Sequence, residues 1–440
     1  MKSYLSELSR NNELLEVEVQ VDPLYELAAV TKVAQKKSDE ALLFPRVKGT
    51  DFPVVTNVYS SRKRLCELIG ADDENFCPAW NRLLNKFAEK SEESTRLRSE
   101  RPEIIEGKLS DLPLITYHEK DVGPYLTSAI FIAKDPLTQV PNLSFHRSMY
   151  VNDNELRVRL GKTHDLAKYQ HAAEKEGSAL EAAILIGVSP SIFLAACASI
   201  SKNSSELELA SKIDDSPLDV YRAKTVDLEI PSETQIVIEG KILPNQRKPE
   251  GPFGEFMGYY VPTENNHVFE VSKVYWRKEA IFHSILCGSR EDLTVLEAVT
   301  AGKIYRHLNS VLPGILDVSC SPAFMNTTIK IKQQYEGHSR QVLTAAFGAD
   351  LDYNKAVFVV DDDIDITNMN EVIWAFLTRG RADTRTMVLR DVPGFYRDPN
   401  KDHWGRLGLD ATKPFDRQTD FERKAVPGEG QIDLARFLKP

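Results

Sequence analysis

The sequence predicts a mixed α/β fold in three parts: an N-terminal stretch of helices and short strands, a strand-rich centre, and a C-terminal α/β portion entered through a long helix. Three observations lead there. The apolar period switches repeatedly between about 3.6 and 2 residues along the chain. The centre is dominated by alternating runs bounded by turn residues, whereas strands and helices take turns beyond Arg290. The 440 residues are 42% hydrophobic and 27% charged, enough apolar material for more than one core. That composition excludes a disordered chain, a collagen-like fibre and a disulfide-stapled mini-protein. A net charge of −10 makes a nucleic-acid coat or an anionic-membrane binder a poor fit.

Along the first part, a helix is expected over about Ser3–Leu14, an alternating strand over Leu15–Val21, and a second helix capped by Asp22-Pro23. Leu42–Phe44 and Val54–Asn57 read as short strands. Glu89–Glu106 is dense in charge and is expected to be a solvated helix or connector, with a boundary near Gly107–Pro113. In the second part Leu126–Ala133 and Asn142–Val151 are strands separated by the turn signal Asp135-Pro136. Leu156–Leu160, Gln235–Gly240 and Tyr259–Trp276 follow as strands, with helices at about Asp165–Glu176, Pro190–Ile200 and Ser205–Ser211. Ala182–Ile200 has the length of a membrane span, but Gly187, Ser189, Pro190 and Ser191 interrupt it. It reads as a buried strand, Ala182–Ile186, then a helix with Ser189 as N-cap and Pro190 at its first position. The third part opens with a helix over Arg290–Val311. Strands Thr328–Lys332 and Ala356–Asp361 then alternate with helices His338–Phe347 and Asn370–Leu377, which calls for a parallel or mixed sheet. The apolar stretch Ile432–Leu438 is a candidate subunit contact. Five cysteines, none in a CxxC pair, and no apolar leader at Met1–Leu15 place the protein in the cytoplasm with its thiols reduced.

The most informative run is Glu250-Gly251-Pro252-Phe253-Gly254-Glu255. Glycine and proline this dense exclude an ordinary helix, and glycine allows close approach to a ligand. Its two carboxylates sit five apart among apolar and aromatic residues. They are either solvated acids of a surface loop or buried acids raised in pKa and suited to proton transfer. In Asn142–Met149, strict alternation puts Leu143, Phe145, Arg147 and Met149 on one face. A guanidinium there either meets an anion, such as Glu250, Glu255 or a substrate carboxylate, or snorkels at a sheet edge. If Asn142 and Arg147 serve one site, Asn142 precedes the strand proper or lies beyond a bulge. His164 precedes a helix cap, and Glu206 opens a helix whose dipole favours an acid. Both therefore have structural readings as well, although Asn, His and Glu form a reasonable mixed set for Mn²⁺ or Mg²⁺. Asp361-Asp362-Asp363-Ile364-Asp365 is either a metal site or turn and cap chemistry. His283 and His307 read as packing or surface residues. No GxSxG, HExxH, GxxxxGK[ST] or GxGxxG occurs, which argues against serine hydrolases, zincins, P-loop ATPases and ordinary NAD enzymes.

Taken together, Gly123-Pro124-Tyr125-Leu126-Thr127, Asn142 with Arg147, Ile236-Val237-Ile238-Glu239-Gly240, the EGPFGE run, Val360–Asp365 and Leu409-Asp410-Ala411-Thr412 resemble the UbiD family of reversible, non-oxidative (de)carboxylases that use prenylated FMN. The resemblance covers most of the chain. It implies an N-terminal α/β region (1–110), a central split β-barrel flavin-binding domain (111–289) and, from 290 to 440, a linker helix and C-terminal α/β domain. It implies a catalytic network of Arg147 between Glu250 and Glu255, with Glu255 as proton donor and Arg147 orienting the substrate carboxylate. It implies a metal triad of Asn142, His164 and Glu206 holding Mn²⁺ (or Mg²⁺) against the cofactor phosphate, with K⁺ or Na⁺ nearby. Cofactor contacts carried by the same resemblance are Asn142, Ser144, His146, Arg147, Thr163, His164 and Arg340. Two positions depart from the family: Thr163 stands where relatives have glutamine, and Arg340 where they have lysine, which replaces a point charge by a planar fork.

The reaction so implied is loss of CO₂ from an α,β-unsaturated, aromatic or heteroaromatic acid through a covalent prenylated-FMN adduct, because an sp² carbanion needs an electron sink that side chains lack. A flavin prenyltransferase would supply the cofactor. The expected assembly is a homodimer or homohexamer, with no nucleic-acid or membrane partner. Two rival readings stand beside this one: a metal-dependent hydrolase built on His164, Glu206 and the Asp361 cluster, and a flavin-free, non-catalytic homologue. The distal wall of the substrate pocket is expected to draw on Arg290–Val311 and Pro322–Met325.

Overall fold

The structure is a computed structural model that describes the chain except for residues 73–74, 89–93, 202, 323–324, 351, 393, 396–397, 399, 401–404, 429–431, 433–435 and 438–440. Part of the charged connector, part of the Pro322–Met325 wall and most of the apolar tail Ile432–Leu438 thus lie outside the described residues. Two compact units emerge. The first holds Met1–Arg306 with Cys320–Phe324 and Arg397–Pro399, and the second holds His307–Ser319, Met325–Tyr396 and Asn400–Pro440.

In the first unit, the opening helix runs only over Lys2–Arg10, because Asn12 takes a left-handed backbone (φ 58°) that ends it. Leu14–Glu16, Ala41–Phe44 and Val54–Thr56 form a small sheet, which Phe282–His283 joins in parallel beside Val54–Thr56. The second helix starts at Glu26. Before it, the Asp22 carboxylate accepts from the Leu24 amide at 2.9 Å, a local turn that sets the chain's entry angle. The charged connector is not helical where described: Thr95–Leu97 and Ile104–Gly107 are edge strands, and their charges suit an edge exposed to water.

The centre is one antiparallel sheet. Its pairing order is Tyr125–Leu126, Ser148–Asn152, Glu155–Val158, Glu264–Arg277, Ile236–Glu250, Leu180–Ile186, Ile130–Lys134 and Pro141–Phe145, with Ile104–Gly107 added to Glu264–Arg277. Two stretches expected as single strands are each broken in two. Leu126–Ala133 divides into Tyr125–Leu126 and Ile130–Lys134, and Asn142–Val151 divides at His146-Arg147. The second break shapes the sheet. Pro141–Phe145 lies at one end of the pairing order and Ser148–Asn152 next to the other, yet only two residues join them. Three Cα–Cα steps reach at most about 11 Å, so the sheet curls until its ends approach each other at His146-Arg147. No hydrogen-bond ladder closes that seam among the described residues.

The curl wraps a core of Phe131, Leu156, Ile184, Ile238, Phe269 and their neighbours. Ala182–Ile186 is fully buried, as expected of an uninterrupted apolar strand in mid-sheet, and Pro190–Cys197 follows it as a helix with Ser189 at the N-cap. Among the described residues no helix is long and apolar enough to cross a membrane.

The helix Arg290–Val311 forms over the expected span. The second unit is a mixed five-stranded sheet ordered Ile315–Ser319, Asn326–Ile331, Ala356–Asp361, Gly405–Asp410 and Thr386–Arg390. Its three inner strands run parallel, and helices His338–Ala349 and Met369–Arg379 accompany it. Among the described residues no disulfide joins the five cysteines.

Candidate active site

Arg147 lies in the seam, where the strand break resets side-chain parity. Asn142 and Arg147 can therefore serve one region without a bulge between them. The Arg147 fork meets Glu250 side-on: Nε donates to Oε1 at 3.1 Å and Nη2 to Oε2 at 3.0 Å. The guanidinium also stands 4.6 Å above the Phe253 ring, which packs on Tyr125. Its Nη1 makes no hydrogen bond among the described residues.

Glu250 ends the strand Ile236–Glu250 and is 1% exposed. Two further donors reach it, Tyr125 Oη at 2.9 Å and Asn266 Nδ2 at 2.7 Å. Asn266 Oδ1 accepts from Arg159 Nη1 at 3.2 Å, which fixes the orientation of that amide. Four donors fill a carboxylate's four lone-pair directions. Glu250 is accordingly an anchor that holds Arg147 in place. Burial and the adjacent Glu250 charge push the Tyr125 phenol far up, so it stays a donor.

Glu255 is buried, which overturns the reading of the EGPFGE acids as solvated loop residues. Its backbone is tied into a tight turn, with its N–H on the Tyr259 carbonyl (3.0 Å) and its carbonyl accepting from Gly258 N–H (2.9 Å). The preceding Gly254 is clamped from outside. Asp121 Oδ1 accepts from Gly254 N–H at 2.7 Å, while Oδ2 accepts from His118 N–H at 2.9 Å and lies 3.4 Å from His118 Nδ1. A Cβ on Gly254 would come within 2.4 Å of the His118 ring, so this position needs glycine. Gly251 has φ +94° and turns the chain out of the strand.

A second cluster gathers Asn142, Ser144, His146, His164 and Glu206. Ser205 Oγ accepts from Leu207 N–H (3.2 Å), and Glu208 accepts from Ser205 N–H (3.4 Å). Glu208 is thereby the capping acid, and Glu206 is free to face the sheet. Glu206 accepts from Asn142 Nδ2 at 3.0 Å and from Leu143 N–H at 2.8 Å. Burial still lifts its carboxyl to about 7. His146 is buried between Ser144 Oγ (2.9 Å from Nε2) and the Arg159 carbonyl (3.2 Å from Nδ1), and burial lowers it to about 3, so its imidazole is neutral. Ser144 has one hydroxyl proton for two acceptors, His146 Nε2 and Asn142 Oδ1 at 3.1 Å. If His146 takes it, a lone pair of Asn142 Oδ1 stays open. A buried, raised carboxyl beside an amide oxygen is compatible chemistry for a divalent ion, but among the described residues no group of three or more His, Cys, Asp or Glu side chains gathers to hold one. The His164 ring centroid stands 5.4 Å from that of His146, and His164 itself is exposed at the start of Asp165–Lys175.

Other expected residues fall elsewhere. Thr163 is exposed beside His164. Arg340 belongs to the second unit, exposed on His338–Ala349, where its guanidinium donates to the Thr384 carbonyl. In the Asp361 cluster, Arg379 binds Asp361 (3.1 Å) and both oxygens of Asp363 (2.9 and 2.6 Å), and Asp365 bonds the Thr367 amide and hydroxyl (2.9 and 2.7 Å). These acids do turn and ion-pair work and are not an open metal site. His283, read as packing or surface, is buried and bonds Glu291 at 2.9 Å. The sequence reading missed Tyr125, Asn266, Phe253 and Asp121 as site residues. The first three lie on separate strands with no spacing to tie them to Arg147. Asp121 carries only the weak signal of an acid in a Gly/Pro-bounded loop.

Residues 5–84, 90–290 and 293–411 match in turn the N-terminal, Rift-related and C-terminal domains of UbiD, 3-octaprenyl-4-hydroxybenzoate carboxy-lyase, and the chain belongs to that family. It is 30% identical over 439 residues to an anhydromevalonate phosphate decarboxylase of Methanosarcina mazei, covering 97% of this chain and 99% of that one. Among solved structures it is similar to the UbiD-class enzyme HmfF of Pelotomaculum thermopropionicum in complex with FMN (TM-score 0.93, 33% identity, 99% of each chain covered). It is also similar to an evolved dimeric form of that enzyme in complex with prenylated FMN (TM-score 0.89, 32% identity, 99% of each chain).

Proposed function

We propose that this protein catalyses the reversible, non-oxidative decarboxylation of a small α,β-unsaturated, aromatic or heteroaromatic carboxylic acid with prenylated FMN as cofactor. The observation that carries the reading is the division of labour between the two acids of one loop. Glu250 is saturated by four donors, whereas Glu255, five residues on, is buried in a turn that holds it beside the same region. Similarity to structures with FMN and prenylated FMN bound supports the cofactor, and similarity to an anhydromevalonate phosphate decarboxylase supports a carboxylic acid as substrate.

Bound prenylated FMN supplies the electron sink for the carbanion left by CO₂. The chain's own residues do the rest. Arg147, locked by Glu250 and Phe253, turns its free Nη1 edge toward the substrate carboxylate and fixes its direction. Glu255 gives its proton to the product carbon and takes one from it in the reverse direction. Burial of Glu255 limits the access of water to that carbon. Asn142, His164 and Glu206 would hold Mn²⁺ or Mg²⁺ for the cofactor phosphate, with Ser144, His146 and Thr163 around it and K⁺ or Na⁺ alongside. A flavin prenyltransferase supplies the cofactor, and the protein works in the cytoplasm as a dimer or hexamer.

The test is to reconstitute the protein with prenylated FMN and metal and present unsaturated and heteroaromatic acids in D₂O. CO₂ release and deuterium at the former carboxyl position are expected. A flavin-loaded protein that exchanges none of them would reject the reading.

A further inference from the structure

Beyond the Arg147 network lies a carboxyl that the proposed chemistry does not yet use. Asp292 sits in the first turn of Arg290–Val311, behind Ser289, whose Oγ accepts from the Asp292 amide at 3.3 Å. Its carboxylate folds back to accept from Gly288 N–H at 2.7 Å and bonds the Cys287 thiol. The loop Cys287–Ser289 lies directly against the Glu255 turn. Gly288 has φ +72°, and a Cβ there would come within 3.1 Å of the Phe256 carbonyl and 3.2 Å of its Cα. The two turns that carry Asp292 and Glu255 thus abut, the Glu255 charge acts on Asp292, and Cys287 lies within electrostatic reach of Asp292, Glu255 and Arg147.

The charges around this pair are unevenly met. Glu250 is consumed by Arg147 and its other donors. Glu291, the neighbour of Asp292, is held in a nest of three amides, Asn57, Val58 and Tyr59 (2.6, 2.9 and 3.2 Å), plus His283. Asp292 is offered only one amide and one thiol among the described residues, and no cation. Cys197, at the end of Pro190–Cys197, feels its charge from another side. A helix N-terminus ordinarily favours a carboxylate. Here burial and the like charge of Glu255 outweigh it and hold Asp292 up at about 6.

We propose that Asp292 is a positioning residue of the proton-donor site: Asp292 and Glu255 form a coupled carboxyl pair that shares one proton, and the Asp292 charge keeps that proton on Glu255. This rests on Glu255 being the donor. Each protonation of product takes the shared proton and leaves both carboxylates charged. The pair then recovers one proton from solvent before the next turnover. Removing the Asp292 charge lets Glu255 ionise at lower pH, so proton donation fails sooner as pH rises.

The experiment is the pH profile of substrate H/D exchange by the reconstituted Asp292→Asn and Asp292→Glu variants, with infrared titration of the full chain without cofactor. In Asp292→Asn the high-pH limb is expected to move down by at least one pH unit, and Asp292→Glu is expected to restore it. In the infrared, a protonated carboxyl band that persists above pH 6 in the wild type should weaken in both Asp292→Asn and Glu255→Gln. An unshifted limb in a folded Asp292→Asn protein, or a band indifferent to that substitution, overturns the pair. If Asp292→Asn does not fold, Asp292→Ser removes the same charge and should move the limb the same way; a static limb there rejects the pair too. Full exchange by Glu255→Gln would instead reject Glu255 as donor, while the infrared comparison still decides whether the two carboxyls are coupled.

Discussion

Replacing Glu250 by glutamine tests the anchor on which Arg147 depends. Glutamine keeps the shape but offers one oxygen and one NH₂ group where the site presents four donors: Arg147 Nε and Nη2, Tyr125 Oη and Asn266 Nδ2. Whichever way the amide is turned, two of those donors face an NH₂ group, and the Arg147 charge, 12% exposed, loses its counter-ion. Removing one partner of a buried ion pair costs about 3–5 kcal/mol. Tyr125→Phe removes one donor and leaves three, so about 1.5–3 kcal/mol is expected for that bond to a charged acceptor. The double change Arg147→Met with Glu250→Leu removes both charges and should recover much of the stability lost in Glu250→Gln, since a well-packed apolar pair is often as stable as the ions it replaces. Turnover should fall by about 100-fold or more in Glu250→Gln, because a misplaced orienting group is that costly, and it should not return in the double variant. Urea unfolding followed by fluorescence, with H/D exchange for turnover, reads both quantities. A Glu250→Gln protein within about 1 kcal/mol of wild type and normal in turnover would refute the anchoring role.

Other substitutions probe neighbouring parts. Asp121→Asn keeps one acceptor for two amides, so the Gly254 turn should loosen and kcat should fall with little change in fold by circular dichroism. Gly254→Ala should do the same by displacing His118, visible as a shifted His118 NMR signal. Mn²⁺ at about 100 times its Kd should stabilise the wild type by about 2.7 kcal/mol, and Glu206→Gln should abolish that gain in a thermal melt with and without metal. Arg379→Ala leaves Asp361 with Gln333 and the Lys413 amide and Asp363 with the Lys413 ammonium, so it should destabilise the second unit by about 1.5–3 kcal/mol while leaving Mn²⁺ binding intact by calorimetry. Lost Mn²⁺ binding there would revive the Asp361 cluster as a metal site.

Much of the architecture is legible in the sequence where a pattern is long or its punctuation strong. Arg290–Val311 and Ala356–Asp361 form over their expected spans, and Ser189-Pro190 starts its helix as capping rules require. The pair Glu250 and Glu255 is legible from residue type and spacing, because few contexts place two acids in a glycine- and proline-rich apolar run. What is not legible depends on long-range pairing. The break at His146-Arg147 has no Gly or Pro to mark it, and it exists because two ends of one curled sheet must meet there. Tyr125 and Asn266 converge on Glu250 from strands that no local rule relates. The separation of Glu206 from Glu208 was within reach: Ser205-x-x-Glu208 is a capping box, which assigns Glu208 to the helix end and leaves Glu206 to meet Asn142 and Leu143. Edge strands at Thr95–Leu97 and Ile104–Gly107 escaped because charge on an edge strand imitates a solvated helix.

The most direct test of the account is the Glu255→Gln protein loaded with prenylated FMN and metal. Glutamine fits the same turn but has no proton to give, so the cofactor spectrum and melting temperature should match wild type while H/D exchange falls by about 10²–10⁴-fold. Wild-type exchange from that fully loaded variant would contradict the assignment of the two acids from which the mechanism is built.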